Sequence, residues 1–522
     1  MDMKQKLEWA EAQRIAISVD FFAAAKQQLR FLAEVYKNPQ LHDGPALDRA
    51  IHRYKYCWLP LLAKHVEGQV SEGAVVVPLD CEWIWHCHRL NPVRYIVDCK
   101  QLYGKILGNR NVVSSTEAIY KDQTEEIWNQ MYPDEPYELN MNIQISSATD
   151  RSISTTYDLI SAVKRQSSFY YQVSGSYMND DAYLEGSVAR YRGFLHLIKR
   201  NQERALGEFC VPTYDIDLIW HAHQLQPVAY CEDLVGMMGR VLDHDDTDSD
   251  RAKGHKLDTG FSGTTKQWED TFGSRYCRAG AMYRGNAPSP LAINATKLGL
   301  LSNKVEDSNQ ISKEMFVEVM VEIMEVRDIP AEHKGNLVIT FSKKQPDMLF
   351  QGQTRLSILS ERKEKQIAVF QCEPVGELVC ELVSHSPTAC AAKVLGATSI
   401  SLQEFMKPAG SPLSVEKWLK LMPNSETAVI SELISLHTAI SFTTPIAAPV
   451  MQNSVKMDGG GNCNGGSNYN HVPQCDISCI IANRVKSIDF GYTACSCISG
   501  GCGGGACGGG SCLGGGCGHE NK

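Results

Sequence analysis

In this sequence of 522 residues, the residues best suited to catalysis or metal binding are two pairs of histidines. Each pair has the form His-x-His, the first histidines of the two pairs lie 135 residues apart, and an acidic residue stands four positions before each of them. Imidazole nitrogens and carboxylate oxygens are common ligands of zinc and iron. The pattern therefore raises the hypothesis of a zinc or iron site. The candidate ligands are Glu82, His86, His88, Asp217, His221 and His223.

Helix geometry limits how these side chains can combine. Residues i and i+2 of a helix point to roughly opposite sides, so one His-x-His pair cannot chelate one ion, whereas residues i and i+4 share a face. Each acid–histidine pair could form half of a metal site that the other copy completes across a pseudo-two-fold axis. It could equally be a buried hydrogen-bonded pair that fixes helix packing beside Trp85 or Trp220. Both interpretations stay open from the sequence alone.

A second set of metal-binding residue types lies near the end of the sequence. Residues 451–522 contain nine of the 19 cysteines and 18 of the 41 glycines. The spacing in this tail comes close to zinc-binding knuckles, and the candidate thiolate ligands are Cys475, Cys479, Cys495 and Cys497. A flexible tract of this composition could scavenge metal or crosslink on oxidation, and it could equally hold no defined ligand.

The histidine pairs belong to an internal repeat. Residues 80–95 and 215–230 share the frame Asp-x-acid-x-Ile-Trp-His-x-His-x-Leu-x-Pro-Val-x-Tyr. The frame predicts a short helix with Asp80 or Asp215 as its N-cap, followed by a second helix that begins at the proline. Upstream, Arg53-Tyr54 matches Arg190-Tyr191. We expect Asp80, Trp85, Asp215 and Trp220 to have structural roles.

The hydrophobic pattern divides the chain into a helical part and a β part. Residues 1–285 are predicted to form an all-α domain of two repeats, about 15–145 and 150–285, and residues 286–310 a linker. Beyond the linker the apolar period changes from 3.6 to 2, which predicts an all-β sandwich over 311–445, with residues 316–326 as a half-exposed strand. The Gly- and Cys-rich tail, 446–522, is predicted to be disordered because it cannot bury a core.

Charge and hydropathy restrict the class of partner. The net charge is −9, which disfavours RNA binding, because a phosphate-binding surface needs clustered Lys and Arg. No apolar run approaches 18 residues, so no integral membrane segment is expected. Ten scattered cysteines before the tail resemble buried free thiols, which predicts a cytoplasmic location with the nucleus as alternative. The acidic run 243–250 is interpreted as a solvated connection.

The doubled Ile-Trp-His-x-His motif, the β part and the Gly/Cys-rich tail together resemble the plant glycine-rich domain-containing proteins. Members of that family are implicated in abiotic stress tolerance, in abscisic-acid and auxin responses and in development, and no enzymatic activity is established for them. Some members are described as carrying an RNA-recognition motif, but no segment here resembles the aromatic and basic strand that such a module uses. The sandwich is similar to a C2 domain in which Asp328 has few carboxylate neighbours, which implies calcium-independent contacts.

The sequence therefore supports one leading hypothesis and two alternatives. The leading hypothesis is a non-enzymatic regulatory or scaffold protein of plant stress responses and development, with protein partners and no cofactor. The first alternative is a metal-binding protein or metalloenzyme that uses zinc or iron on the paired histidines. The second is an adaptor that binds RNA or a membrane surface.

Overall fold

A computed structural model describes residues 1–70, 73–117, 119–143, 155, 157–205, 207–244, 246–286, 315–329, 336–344, 354–358, 366–385, 393–402, 414–423 and 433–447. Most of the predicted linker and nearly all of the predicted tail lie outside the described residues, including Cys475, Cys479, Cys495 and Cys497. In the described part, the regular elements before residue 286 are helices except for two strands of two residues each, and the chain from residue 315 onward forms strands. The predicted fold class, an all-α part followed by a β-sandwich, is confirmed.

Thirteen α-helices occur in the described part of the N-terminal region. They are α1 Met3–Gln13, α2 Phe21–Tyr36, α3 Pro45–Arg53, α4 Leu59–Val66, α5 Leu79–Arg89, α6 Pro92–Tyr103, α7 Lys121–Met131, α8 Leu159–Gln166, α9 Phe169–Val173, α10 Asp181–Glu203, α11 Tyr214–Gln224, α12 Pro227–Met238 and α13 Lys256–Phe272. A π-helical turn, Tyr54–Trp58, joins α3 to α4, and the two-residue strands β1 Val75–Val76 and β2 Val112–Val113 pair in parallel.

The repeated sequence frame forms the helix pairs α5–α6 and α11–α12. The prediction that Pro92 and Pro227 open the second helix of each pair is confirmed. Proline suits this position because it has no backbone N–H, and the first turn of a helix offers no intrahelical acceptor for one. The prediction that Asp80 and Asp215 cap α5 and α11 is wrong. Both helices begin one residue earlier, at Leu79 and Tyr214, and both aspartates lie inside the first turn, where their carboxylates pair with buried arginines.

The first helix of each repeat packs on the motif helix of the other repeat. Helix α2 packs on α11 of the second repeat, and α8 packs on α5 of the first. At the start of these segments the Phe21 ring lies 5.5 Å from the His223 ring, and the Tyr157 ring lies 5.7 Å from the His88 ring. We call α2 and α8 the exchanged arms. Because of them, neither repeat has a complete core of its own.

The β part consists of two sheets that pack face to face. The strands are β3 Met315–Arg327, β4 Asn336–Lys343, β5 Thr354–Ile358, β6 Gln366–Cys372, β7 Glu377–His385, β8 Lys393–Ser401, β9 Ser414–Lys420, β10 Ser435–Phe442 and β11 Ile446–Ala447. One sheet has the order β11-β3-β10-β9 with β6 also paired to β3, and the other has the order β5-β4-β7-β8. Alternating apolar residues such as Val319, Val321, Ile339 and Phe341 fill the space between them.

The outer face of the first sheet is covered by the segment that follows α13. The backbone N–H of Gly280 donates to Glu318 at 2.7 Å, and Arg275 donates to both carboxylate oxygens of Glu416 at 3.1 Å. Met320 packs against Cys277 and its neighbours in a small apolar cluster. We call this contact between residues 275–282 and the sheet the interdomain joint.

The interdomain joint explains why the predicted half-exposed character of the first strand is wrong. Glu318, Met320 and Glu322 form the outward face of β3, but they are 8%, 2% and 1% exposed. The sequence pattern of this strand is typical of a face turned to solvent. Here the polar groups face a neighbouring domain that supplies an N–H donor and a guanidinium.

Candidate functional site

The second histidine of each motif is held between a tyrosine and an aspartate. The Tyr54 hydroxyl lies 2.9 Å from Nδ1 of His88, and Nε2 of His88 lies 3.3 Å from Asp98. When the tyrosine donates to Nδ1 and Nε2–H donates to the carboxylate, both nitrogens of a neutral imidazole are engaged. The second repeat has the same arrangement in Tyr191, His223 and Asp233, with separations of 2.9 and 3.2 Å. In this tautomer neither His88 nor His223 has a free lone pair for a metal, and both stabilise the packing of the helices.

The aspartate that opens each motif forms a buried ion pair. Arg53 is fully buried, and its Nε donates to Asp80 at 2.7 Å. In the second repeat Asp215 accepts from Arg190 at 2.8 Å and also from Arg278 at 3.0 Å. Burial raises the pKa of Asp80, and Arg53 offsets this only in part. For Asp215 burial acts in the same direction, but the two guanidiniums outweigh it and hold its pKa below the usual range.

The motif tryptophans lie at the centre of the two repeats. Trp85 Nε1 donates to the Tyr95 hydroxyl at 2.9 Å, and that hydroxyl donates to the Leu107 carbonyl at 2.7 Å. The equivalent chain runs from Trp220 to Tyr230 and on to the Leu242 carbonyl, with distances of 3.0 and 2.8 Å. Each chain ties the motif helix to the loop after the second helix of its pair. The structural roles expected for Trp85 and Trp220 fit these contacts.

The first histidines of the two motifs lie where the repeats meet. His86 is buried between the rings of Phe31 and Trp83, its Nε2 has no hydrogen-bond partner in the described residues, and it is close enough to His221 for their charges to interact. Arg89 donates to the Leu225 carbonyl of the other repeat at 2.7 Å. A cavity of about 60 Å³ lies beside His86 and is lined from both repeats.

The two acid–histidine pairs differ between the repeats. In the first repeat one oxygen of Glu82 accepts from the Ser114 hydroxyl at 3.1 Å and from the backbone N–H and hydroxyl of Ser115 at 2.7 and 2.6 Å. In the second repeat Asp217 stands 3.5 Å from Nε2 of His221. Only in the second repeat, therefore, do the acid and the histidine face each other as the helix geometry predicts.

A residue that the sequence did not single out joins the second pair. His244 Nε2 lies 3.8 Å from Asp217, and the His244 ring lies 5.0 Å from the His221 ring. His244 belongs to the acidic run interpreted above as solvated. It is only 8% exposed, and Asp246 of the same run accepts from Arg165 at 3.0 Å, so that interpretation is wrong for these two residues. The alignment of Leu107 with Leu242 places Asn109 opposite His244, so comparison of the repeats could not reveal a second histidine.

Burial keeps the motif histidines neutral near neutral pH. It lowers the pKa of His221 and of His223 to about 4, although Asp217 and Asp233 act in the opposite direction. Burial also lowers the pKa of His86 and of His88. The unfolded chain binds these protons near pH 6.5, whereas the folded chain does not.

We therefore expect the free energy of unfolding to fall as the pH is lowered below about 6.5. The unfolded state binds more protons in this range, and one such histidine contributes a slope of up to about 1.4 kcal/mol per pH unit. Urea unfolding at pH 7.5, 6.5 and 5.5 measures this slope. The variant His88→Gln should have a smaller slope than the wild type, and His255→Gln, which removes an exposed histidine, should retain the wild-type slope. Equal slopes in all three proteins would contradict this account of His88.

The described helices include none with the length and apolar character needed to cross a membrane.

The doubled motif, its buried networks and the attached sandwich define a class of protein: a two-repeat helical domain with a β-sandwich docked on its second half. Family models agree with this division. One described as "Glycine-rich domain-containing protein-like" matches residues 1–98 and 94–233, and one described as "C2 domain of glycine-rich domain-containing protein" matches residues 313–444. The chain belongs to the glycine-rich domain-containing protein family, which confirms the resemblance of its motifs.

Two relatives from Arabidopsis thaliana illustrate the similarity. "Glycine-rich domain-containing protein 1" is 54% identical in an alignment of 467 positions that covers 86% of this chain and 57% of the relative. "Glycine-rich domain-containing protein 2" is 52% identical in an alignment of 466 positions that covers 87% of this chain and 58% of the relative. This chain thus spans less than two thirds of either relative.

Among solved structures, a C2 domain of plant Extended Synaptotagmin 1 aligns with 27% of this chain and with all of its own chain, at 9% sequence identity. The TM-score of 0.19 is too low to carry a conclusion.

Proposed function

We propose that this chain is a non-enzymatic regulatory or scaffold protein of plant abiotic stress responses and development, in pathways linked to abscisic acid or auxin. One observation carries the non-enzymatic part of the proposal: most chemistry-bearing side chains of the two motifs are buried and bonded to one another, in the same pattern twice. The stress and hormone pathways follow from the family resemblance alone. A catalytic group has to reach its substrate, whereas these groups hold helices together. The helical domain and the sandwich then act as one platform that presents surface to partners in the cytoplasm, with the nucleus as a second location.

An aromatic and basic patch on the sandwich is the surface that we assign to a protein partner. Trp418 is 38% exposed, stacks on His437 with ring centroids 4.6 Å apart, and lies beneath the guanidinium of Arg327 at 4.2 Å. We call these three residues the Trp418 patch. Tryptophan and arginine are the residue types that most often dominate the binding energy of protein interfaces.

The Trp418 patch is continuous with the interdomain joint. His437 Nε2 lies 3.1 Å from Glu416, and Glu416 also accepts from Arg275 of the helical domain. A partner seated on Trp418 would therefore lie beside both domains.

Arg327 is paired with Glu325 at 2.8 Å, and His437 lies beside Glu416. Lys420 is exposed on the same strand as Glu416, so this surface carries charges of both signs. That mixture and a net charge of −9 favour a protein over RNA or an anionic membrane, both of which attract clusters of basic residues.

The variant Trp418→Ala tests this assignment. Loss of a central interface tryptophan costs about 2 kcal/mol or more, which is roughly a 30-fold loss of affinity. We expect proximity labelling in plant cells, with and without salt or abscisic-acid treatment, to lose a defined set of proteins in this variant. The same variant should fail to restore the stress response of seedlings that lack the chain.

The matched control is Met422→Ala, which removes an apolar side chain that is 60% exposed on the same sandwich. It should retain the labelled proteins and restore the response. An unchanged protein set in Trp418→Ala would contradict the partner surface. Calcium-independent binding to anionic vesicles, or crosslinking to RNA, that depends on Trp418 would support the adaptor hypothesis instead.

A further inference from the structure

We propose that Asp217, His221 and His244 bind one divalent transition-metal ion of the zinc or ferrous type in the second repeat. This inference goes beyond the proposed scaffold function and does not depend on it. The observation behind it is that one carboxylate oxygen and one nitrogen from each histidine all lie within 4.8 Å of one another. These residues come from α11 and from the loop after α12, so an ion would join two separate segments.

The distances suit a single ion. Two ligand atoms of a tetrahedral zinc ion, each at about 2.0–2.1 Å from the metal, stand about 3.3 to 3.4 Å apart. Asp217 Oδ1 lies 3.5 Å from Nε2 of His221 and 3.8 Å from Nε2 of His244. Small side-chain movements would therefore bring all three atoms to bonding distance.

The hydrogen bonds around the histidines leave the ligand atoms free. Nδ1 of His244 bonds the Leu90 carbonyl at 3.0 Å, which requires the proton on Nδ1 and leaves a lone pair on Nε2. A metal-binding histidine commonly donates its other N–H to a backbone carbonyl in this way. His221 is 1% exposed, and neither of its nitrogens has a hydrogen-bond partner among the described residues. An unsatisfied buried imidazole is costly, and a metal ion would satisfy it.

The local charge favours a cation. Among the described residues no lysine or arginine lies in hydrogen-bond range of Asp217, although Arg251 is near enough to interact with it. Asp246, which is itself paired with Arg165, adds negative potential to His221 and His244. The side chains of Asp217 and His244 are 16% and 10% exposed, which leaves an edge through which an ion can enter.

The first repeat lacks an equivalent site, so we expect one ion per chain. Its corresponding residues are Glu82, His86 and Asn109, and the carboxylate of Glu82 is already engaged by Ser114 and Ser115. His86 is not among the residues whose ligand atoms lie within 4.8 Å of one another in the second repeat. Of the six ligands considered from the sequence, only Asp217 and His221 are part of the proposed site, and His244 is added.

The test uses the full chain with the nine cysteines of residues 451–522 replaced by serine, because thiolates bind zinc on their own. Equilibrium dialysis against Zn²⁺ and against Fe²⁺ under reducing, oxygen-free conditions, followed by elemental analysis, should give one equivalent of ion. His244→Asn, which copies the first repeat, and Asp217→Asn should each weaken binding by about 100-fold or more, since even outer-shell changes cost about 10–100-fold.

His196→Asn is the matched control. His196 lies 2.9 Å from Glu8 in another acid–histidine cluster, but Arg200 already lies near that carboxylate. This variant should bind one equivalent with wild-type affinity. Binding that is lost in His196→Asn and kept in His244→Asn, or less than about a tenth of an equivalent in the parent chain, would overturn the proposal.

A second measurement does not depend on whether the variants fold. X-ray absorption of the zinc-loaded parent chain should show nitrogen and oxygen neighbours at about 2.0–2.1 Å, with scattering from two imidazoles. A sulfur shell near about 2.3 Å would place the ion on cysteines of the body and would refute the site.

Discussion

Replacing Arg53 by methionine should destabilise the helical domain by about 3 to 5 kcal/mol, the usual cost of leaving one partner of a buried ion pair alone. Asp80 is 3% exposed, and Arg53 is the side chain that neutralises it. The same guanidinium also donates to the carbonyls of Pro136 and Tyr137, so its loss leaves several polar groups without a donor. Urea unfolding followed by tryptophan fluorescence measures the effect, because seven of the eight tryptophans precede residue 286.

The second repeat supplies the control for this prediction. In Arg190→Met, Asp215 would still accept from Arg278 at 3.0 Å and from the hydroxyl of Thr213. We expect this variant to lose only about 1 to 3 kcal/mol, the cost of removing one buried hydrogen-bonding partner. The double variant Arg53→Met/Asp80→Leu should recover part of the loss by removing the unpaired carboxylate. Equal losses in the two single variants would show that the second arginine does not compensate.

Replacing Gly280 by alanine should open the interdomain joint. Gly280 has φ +79°, and a Cβ atom there would lie 2.5 Å from the Tyr177 ring, 2.8 Å from the Tyr183 hydroxyl and 3.0 Å from Thr443. The left-handed backbone costs a non-glycine residue about 1 kcal/mol, and overpacking against rings adds about 1 to 3 kcal/mol. Because the Gly280 N–H donates to Glu318, a shift of this segment also breaks the bond between the domains.

Alkylation of Cys277, followed by mass spectrometry, measures the opening. Cys277 is 5% exposed inside the joint, so it reacts only when the joint opens. A loss of about 2 kcal/mol corresponds to a rise in rate of roughly 30-fold. Gly285→Ala is the control, because Gly285 has φ +87° and no atom of the described residues lies within 4 Å of its added Cβ. If both variants react at the same rate, backbone strain alone explains the result and the packing of Gly280 does not hold the domains together.

Much of the architecture could be predicted because the sequence repeats itself. The repeated frame located α5–α6 and α11–α12, and the match of Arg53-Tyr54 with Arg190-Tyr191 marked residues that bond the motif aspartate and the second histidine in both repeats. Spacing alone could not show those bonds, since the partners lie 25 to 34 residues apart in the chain. The N-cap prediction failed because an aspartate in a first helical turn can equally face a guanidinium from another helix.

The features that the sequence did not predict come from contacts between distant segments. His244 lies in an acidic run that reads as solvent-exposed, and only the packing of that run on α11 and on Leu90 buries it. Glu318 and Glu322 alternate with apolar residues as they would on a wet sheet face, and only the docking of the helical domain covers them. Periodicity reports that a face is polar, but it does not report what the face contacts.

The exchanged arms have a consequence for synthesis on the ribosome. Ser18, just before α2, bonds the carboxylate of Asp233, which lies 215 residues later in the chain. At about 5–20 residues per second, the nascent arm waits roughly 10 to 40 s before its partner helices emerge. During that interval the residues of α2 that pack on the second repeat, such as Phe21, lack their native contacts. We expect nascent chains that end before α11 to be held by chaperones, and the two halves of the domain to become native only together.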